Sequence, residues 1–209
     1  MTITNLVFFK DAFAVTAPAD NAYYTFTGNA VALEGADYTF KVTEKVSGLN
    51  DFIVLVNGEE VTGDNGTYTV ANVTKALTIK VLHGYIEYGN VSSVSYDSNG
   101  VATVTNSTST NNAAYMAYIS ADYVNYLISK GYNYWDFYLV PDGTIANQAG
   151  IACGNTIVRT PNNSTSVARV QFKADTAIKF WCQKDGSGSA IQGQGGCMTV
   201  TYGEPRANA

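Results

Sequence analysis

The sequence predicts an all-β protein built of two tandem β-sandwiches, and three observations support this fold class. β-favouring residues dominate, including 15 Tyr and 9 Phe among 209 residues. Turn residues recur at intervals of roughly 8–12 residues, a spacing typical of sandwiches and barrels. Helical periodicity is confined to one short segment, residues 121–130. The chain is therefore expected to be all-β with one short helix.

Composition excludes several classes of partner. The chain carries 12 Lys+Arg against 17 Asp+Glu, a formal net charge of −5, which disfavours binding to the phosphates of a nucleic acid. Aromatic residues make up 12% of the chain, too many for a disordered acidic segment. No apolar run approaches the ~18 residues that a membrane helix needs. We therefore expect neither a nucleic-acid nor a membrane partner.

Six short strands are expected between residues 22 and 81. They are predicted at residues 22–27, 37–42, 52–56, 59–61, 67–70 and 76–81. Tyr38, Phe40 and Val42 alternate with polar residues, so they should face one core. Asn57-Gly58 supplies the positive φ angles of a two-residue hairpin, and residues 64–66 form another turn.

These strands carry a family resemblance. Residues 35–43 (GADYTFKVT), 56–61 (VNGEEV), 66–74 (GTYTVANVT) and 77–81 (LTIKV) follow in an order that resembles bacterial immunoglobulin-like repeat domains. Such domains decorate gut-bacterial surface proteins and phage virions. The resemblance implies an immunoglobulin-like sandwich that acts as a spacer or platform, because a fold alone does not define a function.

The remainder of the chain is predicted to form further strands and the one helix. Strands are expected at residues 91–96, 101–105, 114–119, 134–140, 157–159, 167–173, 177–183 and 198–202. Ser120 or Asp122 can cap the helix, and Gly131 suits its end. Residues 117–132 (AYISADYVNYLISKGY) and the Tyr/Phe-rich strand that follows resemble jelly-roll, carbohydrate-binding-like modules of gut-bacterial surface proteins. The predicted domains are an N-terminal arm or extra strand at 1–20, an immunoglobulin-like domain at 21–83 and a jelly-roll-like sandwich at 84–209.

Residues for catalysis or metal binding are not grouped in the sequence. His83 is the single histidine, and no Gly-x-Ser-x-Gly motif accompanies it. Acidic residues lie in turns or on strand faces, as solvated surface residues do. No paired Cys or His spacing indicates a zinc site, and no phosphate-binding loop is present. We therefore predict no catalytic residue, no metal, no cofactor and no enzymatic activity.

Three cysteines leave an alternative open. Cys153, Cys182 and Cys197 are irregularly spaced, which is not a disulfide framework. Buried or incidental thiols are the favoured interpretation. Cys182 and Cys197 could instead meet across a Gly-rich hairpin loop.

Three strands of the second domain predict a binding face. If they are neighbours, alternation places five side chains together: Tyr134, Tyr138, Arg169, Gln171 and Trp181. Aromatic rings beside hydrogen-bonding groups suit sugar rings. The same residue types are enriched in protein interfaces, which is the favoured interpretation. The third interpretation is an ordinary half-exposed sheet face.

The functional expectation is a structural virion protein. The two resemblances imply a capsid decoration (auxiliary capsid) or head-fibre protein of a phage of gut bacteria, made in the host cytoplasm and exposed after lysis. Its partners would be the major capsid protein or other virion proteins, a second copy of the chain, or glycans. Contacts with the capsid or another subunit are expected from four N-terminal residues: Ile3, Leu6, Phe8 and Phe9. The alternative is a glycan-binding module of a bacterial surface adhesin.

Overall fold

A computed structural model describes residues 11–46, 52–88, 92–106, 117–161, 164–184 and 195–208 of the chain. Strands dominate these residues, and one helix accompanies them, so the predicted all-β fold is confirmed. Contacts between Cα atoms divide the chain at Leu82/His83 into two compact units. Unit 1 contains the described residues up to Leu82, and unit 2 those from His83 onward. No helix in the described ranges is long and apolar enough to cross a membrane.

Unit 1 is a pair of sheets made from eight strands. The strands are β1 (Ala12–Thr16), β2 (Tyr24–Thr27), β3 (Val31–Leu33), β4 (Tyr38–Glu44), β5 (Ile53–Val56), β6 (Glu59–Glu60), β7 (Thr67–Val70) and β8 (Leu77–Leu82). One sheet has the order β3-β1-β8-β5-β6, and the other has the order β2-β4-β7.

The predicted alternation in β4 defines the core of unit 1. Tyr38, Phe40 and Val42 are buried, while the residues between them are exposed. The Phe40 ring stacks on Phe26 and Tyr68, with ring centroids 5.4 Å and 5.3 Å apart. Aromatic stacking therefore joins all three strands of the smaller sheet.

The hairpin between β5 and β6 has the predicted turn chemistry. Asn57 and Gly58 have φ angles of 53° and 88°, the left-handed conformations that a type I′ turn requires. The Asn57 side chain accepts a hydrogen bond from the Thr78 backbone N–H at 2.9 Å, which ties the turn to β8.

Strand β1 lies within residues 1–20, for which the sequence predicted an N-terminal arm or an extra strand without giving the bounds of that strand. It pairs with β3 in antiparallel register, Ala12 opposite Leu33. It also pairs with β8 in parallel register, Val15 opposite Leu77. Paired on both sides, β1 is an interior strand of unit 1.

Unit 2 contains ten strands and the helix. They are β9 (Glu87–Tyr88), β10 (Ser92–Tyr96), β11 (Ala102–Asn106), β12 (Ala117–Ile119), α1 (Ala121–Ser129), β13 (Tyr134–Pro141), β14 (Gln148–Cys153), β15 (Thr156–Arg159), β16 (Ser166–Gln171), β17 (Ile178–Gln183) and β18 (Gly195–Arg206). One sheet has the order β10-β11-β18-β13-β16 and is called the front sheet here. The back sheet has the order β15-β14-β17-β12-β9.

The front and back sheets enclose one apolar core. Phe137 of β13 meets Phe180 of β17 edge-on, with ring centroids 5.3 Å apart, and both side chains are fully buried. Because these strands belong to different sheets, this contact spans the sandwich. Strand β14 was not predicted, because all six of its residues are buried and no alternation marks it.

The helix begins and ends at the expected residues. Ser120 is the N-cap, and its hydroxyl accepts a hydrogen bond from the Tyr123 backbone N–H at 3.3 Å. Gly131 follows the last turn with a φ of 88°. Tyr123, Val124 and Leu127 form the buried face of the helix.

Candidate functional site

The outward side of strands β13 and β16 presents aromatic and charged side chains together. The antiparallel register places Tyr134 opposite Gln171, Asp136 opposite Arg169 and Tyr138 opposite Val167. The residues between them point into the core, as the alternating burial of both strands shows. These six residues are called the polar-aromatic face.

Arg169 is held in place from two directions. Its Nε and Nη2 donate hydrogen bonds to the two carboxylate oxygens of Asp136, at 2.8 Å and 2.9 Å. Its guanidinium lies over the Tyr134 ring, 4.2 Å from the centroid. Hydrogen bonding from Arg169 lowers the pKa of Asp136, and the same contact raises the pKa of Arg169. The result is a charged, planar group with fixed orientation, although 55% of the arginine side chain is exposed.

Tyr138 and Val167 supply the apolar part of the face. Tyr138 is 44% exposed and Val167 is 63% exposed, and they lie directly opposite each other. The Tyr138 hydroxyl donates a hydrogen bond to the Thr165 hydroxyl at 3.1 Å. A ring with one open side and an anchored hydroxyl can bind either an apolar protein surface or a sugar ring.

A groove continues along the same side of the front sheet. Its volume is about 320 Å³, and its lining residues are Thr103, Val140, Pro141, Asp142, Gly196, Met198 and Thr199. Val140 lies two residues beyond Tyr138 in β13 and opposite Thr199 in β18. Because residues two apart in a strand share a side, the groove and the polar-aromatic face form one surface.

The groove ends at Asp142, which begins a hydrogen-bonded turn. Asp142 accepts hydrogen bonds from the backbone N–H groups of Thr144 and Ile145, each at 3.0 Å, and from the Thr144 hydroxyl. These bonds lower the pKa of Asp142, so the groove has an anionic group at neutral pH. Threonine hydroxyls and one carboxylate are therefore the polar groups available to a ligand there.

Trp181 does not join this surface, contrary to the prediction. It lies on β17, which belongs to the back sheet, and only 8% of it is exposed. Its indole packs so closely over Gly150 that a side chain at position 150 would overlap it. The condition on which the prediction rested, that the three strands are neighbours, does not hold for β17. The other four predicted residues, Tyr134, Tyr138, Arg169 and Gln171, lie together.

The four N-terminal residues proposed as capsid or subunit contacts lie outside the described residues. They are Ile3, Leu6, Phe8 and Phe9. That part of the proposal therefore stays a prediction.

A buried titratable cluster surrounds the single histidine. His83 is 5% exposed, and its Nε2 lies 3.9 Å from a carboxylate oxygen of Glu87. Burial lowers the pKa of His83 to about 4, although a backbone hydrogen bond to Tyr85 opposes this shift. The Tyr118 hydroxyl donates to Glu87 at 3.0 Å, and burial raises the pKa of Glu87. The imidazole is therefore neutral at pH 7.

This cluster was not predicted from the sequence. His83 and Glu87 are four residues apart, but Tyr118 is brought to them by the pairing of β9 with β12. A lone histidine before a glycine carries no signal for that pairing. Within the described ranges, no group of three or more His, Cys, Asp or Glu side chains is placed to hold a metal ion.

Comparisons with known proteins identify no family. No protein-family model matches the sequence, and no curated protein matches it. Among solved structures, the chain is similar to the secreted serine protease VesC from Vibrio cholerae, with 9% identity and a TM-score of 0.31. The match covers 90% of this chain and 52% of that protein, so the chain spans about half the length of its neighbour.

The comparison corrects one prediction. We predicted from the sequence that the chain has no enzymatic activity, and the similarity to a protease contradicts that exclusion. At this identity and TM-score, the similarity itself assigns neither an activity nor a catalytic residue to this chain.

Proposed function

We propose that this chain is a structural decoration protein of a phage particle and that its polar-aromatic face binds another virion protein. The observation that carries the proposal is the arrangement on β13 and β16, where Arg169 is fixed by Asp136 and Tyr134 beside the exposed Tyr138. Tyrosine and arginine are the side chains that most often dominate the binding energy of protein interfaces.

The fixed side-chain conformation within the polar-aromatic face favours binding. Fixing a long side chain in one rotamer costs conformational entropy when a complex forms. Because Arg169 is already fixed in the unbound chain, binding does not incur that cost again. The exposed area of Tyr138 and Val167 supplies apolar contact next to the fixed charge. On a symmetric shell, many identical weak contacts add up to firm attachment.

The two family resemblances found in the sequence are the reason for proposing a virion as the assembly. Immunoglobulin-like and jelly-roll-like modules occur on phage capsids, so the proposed partner is the major capsid protein and the proposed location is the virion. In this proposal the chain is made in the host cytoplasm and reaches the exterior on lysis.

Capsid binding tests the proposal directly. Purified chain is mixed with capsids that lack it, the particles are sedimented, and the bound chain is counted per capsomer. We expect saturable binding that falls about tenfold or more for Tyr138→Ala and for Arg169→Ala, because each removes a central contact. Tyr88→Ala, which changes a tyrosine 47% exposed in the back sheet, is the matched control. Absence of binding by the unaltered chain would contradict the proposal, and equal binding by all three variants would exclude the face as its contact.

A second candidate function is glycan binding, as in a bacterial surface adhesin. The groove favours it, because two threonine hydroxyls and the Asp142 carboxylate line it on the side of the front sheet that also presents the exposed Tyr138 ring. Sugar rings stack on such rings while their hydroxyls pair with polar groups.

A glycan array separates the two candidates. If the groove binds sugar, an array signal should appear and should fall about tenfold for Tyr138→Ala, with a smaller loss for Thr199→Val, which removes one hydroxyl. Thr78→Val, on an exposed position of β8 in unit 1, is the control for the hydroxyl change. If the chain binds no glycan on the array but does bind capsids, only the decoration role remains.

A further inference from the structure

Three Asn-Gly pairs lie in turns of the chain, at residues 57–58, 65–66 and 99–100. Asparagine followed by glycine is prone to spontaneous deamidation, in which the glycine backbone nitrogen attacks the side-chain carbonyl carbon of the asparagine. Glycine permits this approach because it has no Cβ and few backbone restrictions. The side-chain amide must first turn towards that nitrogen. Its hydrogen bonds and the freedom of the glycine therefore decide how fast each pair reacts.

The Asn57 amide is held at both of its polar atoms. Its oxygen accepts a hydrogen bond from the Thr78 backbone N–H at 2.9 Å, and its nitrogen donates one to the Ala76 carbonyl at 3.2 Å. Both bonds would have to break before the amide could reach the nitrogen of Gly58. Breaking two hydrogen bonds slows a reaction by about tenfold or more, so the fold protects this pair.

The pair at residues 65–66 is held mainly from the glycine side. The Asn65 amide nitrogen donates a hydrogen bond to the Asp64 carboxylate at 3.1 Å. The Gly66 carbonyl accepts one from the Val42 backbone N–H at 2.8 Å. Gly66 also packs so closely on β4 that an added Cβ would lie 2.5 Å from the Val42 carbonyl oxygen. Because β4 holds the glycine, this pair is partly protected.

The Asn99 amide lacks such restraints. The residue is exposed in the turn between β10 and β11, and its side-chain amide has no hydrogen bond to the described part of the chain. The backbone carries the order of this turn, since the N–H groups of Asn99 and Val101 donate to the Asp97 carboxylate at 2.8 Å and 2.9 Å. Gly100 is buried, and its N–H donates to the Asp97 carbonyl at 3.1 Å. Opening that one long bond frees the attacking nitrogen.

We infer that Asn99 is a site of spontaneous deamidation in the folded chain. In the first step the Gly100 nitrogen loses its proton and bonds to Cγ of Asn99, and the bond from Cγ to Nδ2 breaks. Nδ2 takes up the proton and leaves as ammonia, so a five-membered succinimide ring remains. A water molecule then adds to one of the two ring carbonyls and reopens the ring. The product is aspartate or isoaspartate, according to the carbonyl attacked, and nothing is oxidised or reduced.

Either product weakens one edge of the front sheet. Strand β10 is an edge strand, and among the described strands of this sheet it pairs with β11 alone, Tyr96 opposite Ala102 beside the turn. Isoaspartate lengthens the turn backbone by one carbon, and both products add a negative charge near the Asp97 carboxylate. The hairpin of β10 and β11 therefore loosens as the protein ages.

Peptide mapping of the full-length chain tests the inference. The folded chain is kept at 37 °C and pH 8, sampled over several weeks and digested at low pH, and the deamidated fraction of each Asn-Gly peptide is measured by mass. Isoaspartate is counted with an isoaspartyl methyltransferase. We expect Asn99 to react about tenfold or more faster than Asn57, with Asn65 between them. In urea the three rates should become similar, because the fold alone separates them.

Two variants assign the signal to its residue. Asn99→Gln should abolish the early methylation, because attack would then have to close a larger ring. Asn65→Gln, the matched control, should leave the rate at Asn99 unchanged. Equal rates at Asn57 and Asn99 in the folded chain, or an Asn99 that stays intact while the chain in urea reacts, would overturn the inference. The unaltered chain decides the outcome by itself if either variant fails to fold.

Discussion

Arg169 shows how an ion pair can matter for geometry more than for stability. Its carboxylate partner is mostly covered, but the arginine is largely exposed, and exposed pairs contribute little to folding. What the pair provides is a fixed plane between Asp136 and the Tyr134 ring. A lysine at this position would keep the charge and lose the bidentate contact.

His83 should make the stability of unit 2 depend on pH. Its pKa is lowered to about 4 in the folded chain, against about 6.5 when unfolded. Between these values the unfolded chain binds more protons, so the free energy of unfolding should fall as the pH drops from 6.5 towards 4, by roughly 3 kcal/mol. The raised pKa of Glu87 acts in the opposite direction, because the folded state then binds a proton first, and offsets part of the loss.

Urea unfolding measured between pH 4 and pH 7 checks this dependence. His83→Gln cannot take up the proton, so its unfolding free energy should vary less with pH over that range. Comparing slopes removes any constant cost of the substitution and the shared contribution of the carboxylates. The same slope in both proteins would show that His83 does not titrate as its burial requires.

At the scale of elements, β14 depends on a residue without a side chain. Gly150 lies opposite Trp181 in the back sheet, and the indole fills the space where a Cβ would be. Gly150→Ala should therefore destabilise unit 2 by about 1–3 kcal/mol, as overpacking does. Thermal unfolding followed by circular dichroism measures the loss. Gly196→Ala is the matched control, since a Cβ there meets only the Thr103 methyl at 3.4 Å. Equal melting temperatures for the two variants would contradict the prediction.

Alternation and turn chemistry predicted most elements, and the absence of alternation explains why β14 was missed. Strand β4 alternates and ends close to its predicted bounds, whereas β14 is buried at every residue and has no pattern to detect. The predicted strand at residues 198–202 is the middle of β18, which extends from Gly195 to Arg206. The parts of β18 outside residues 198–202 were not predicted, because they contain Gly and Pro residues and neither favours a strand interior.

At the scale of the whole molecule, composition and the alternation of apolar and polar residues predicted the fold class and most of the polar-aromatic face. Alternation gave the outward positions of β13 and β16 correctly, so Tyr134, Tyr138, Arg169 and Gln171 lie together. It could not place Trp181, because alternation fixes the side of a strand and not the sheet to which the strand belongs. The same limit hid the hydrogen bond between Tyr118 and Glu87.

The parallel pairing of β1 with β8 has a mechanical consequence for unit 1. Because the two strands run in the same direction, with Val15 opposite Leu77 and Thr16 opposite Thr78, the chain enters and leaves this pair from opposite ends. Tension applied across the unit would load the bonds between them in shear, so that they must break together rather than unzip one at a time. The two residue pairs of this contact would therefore share the load.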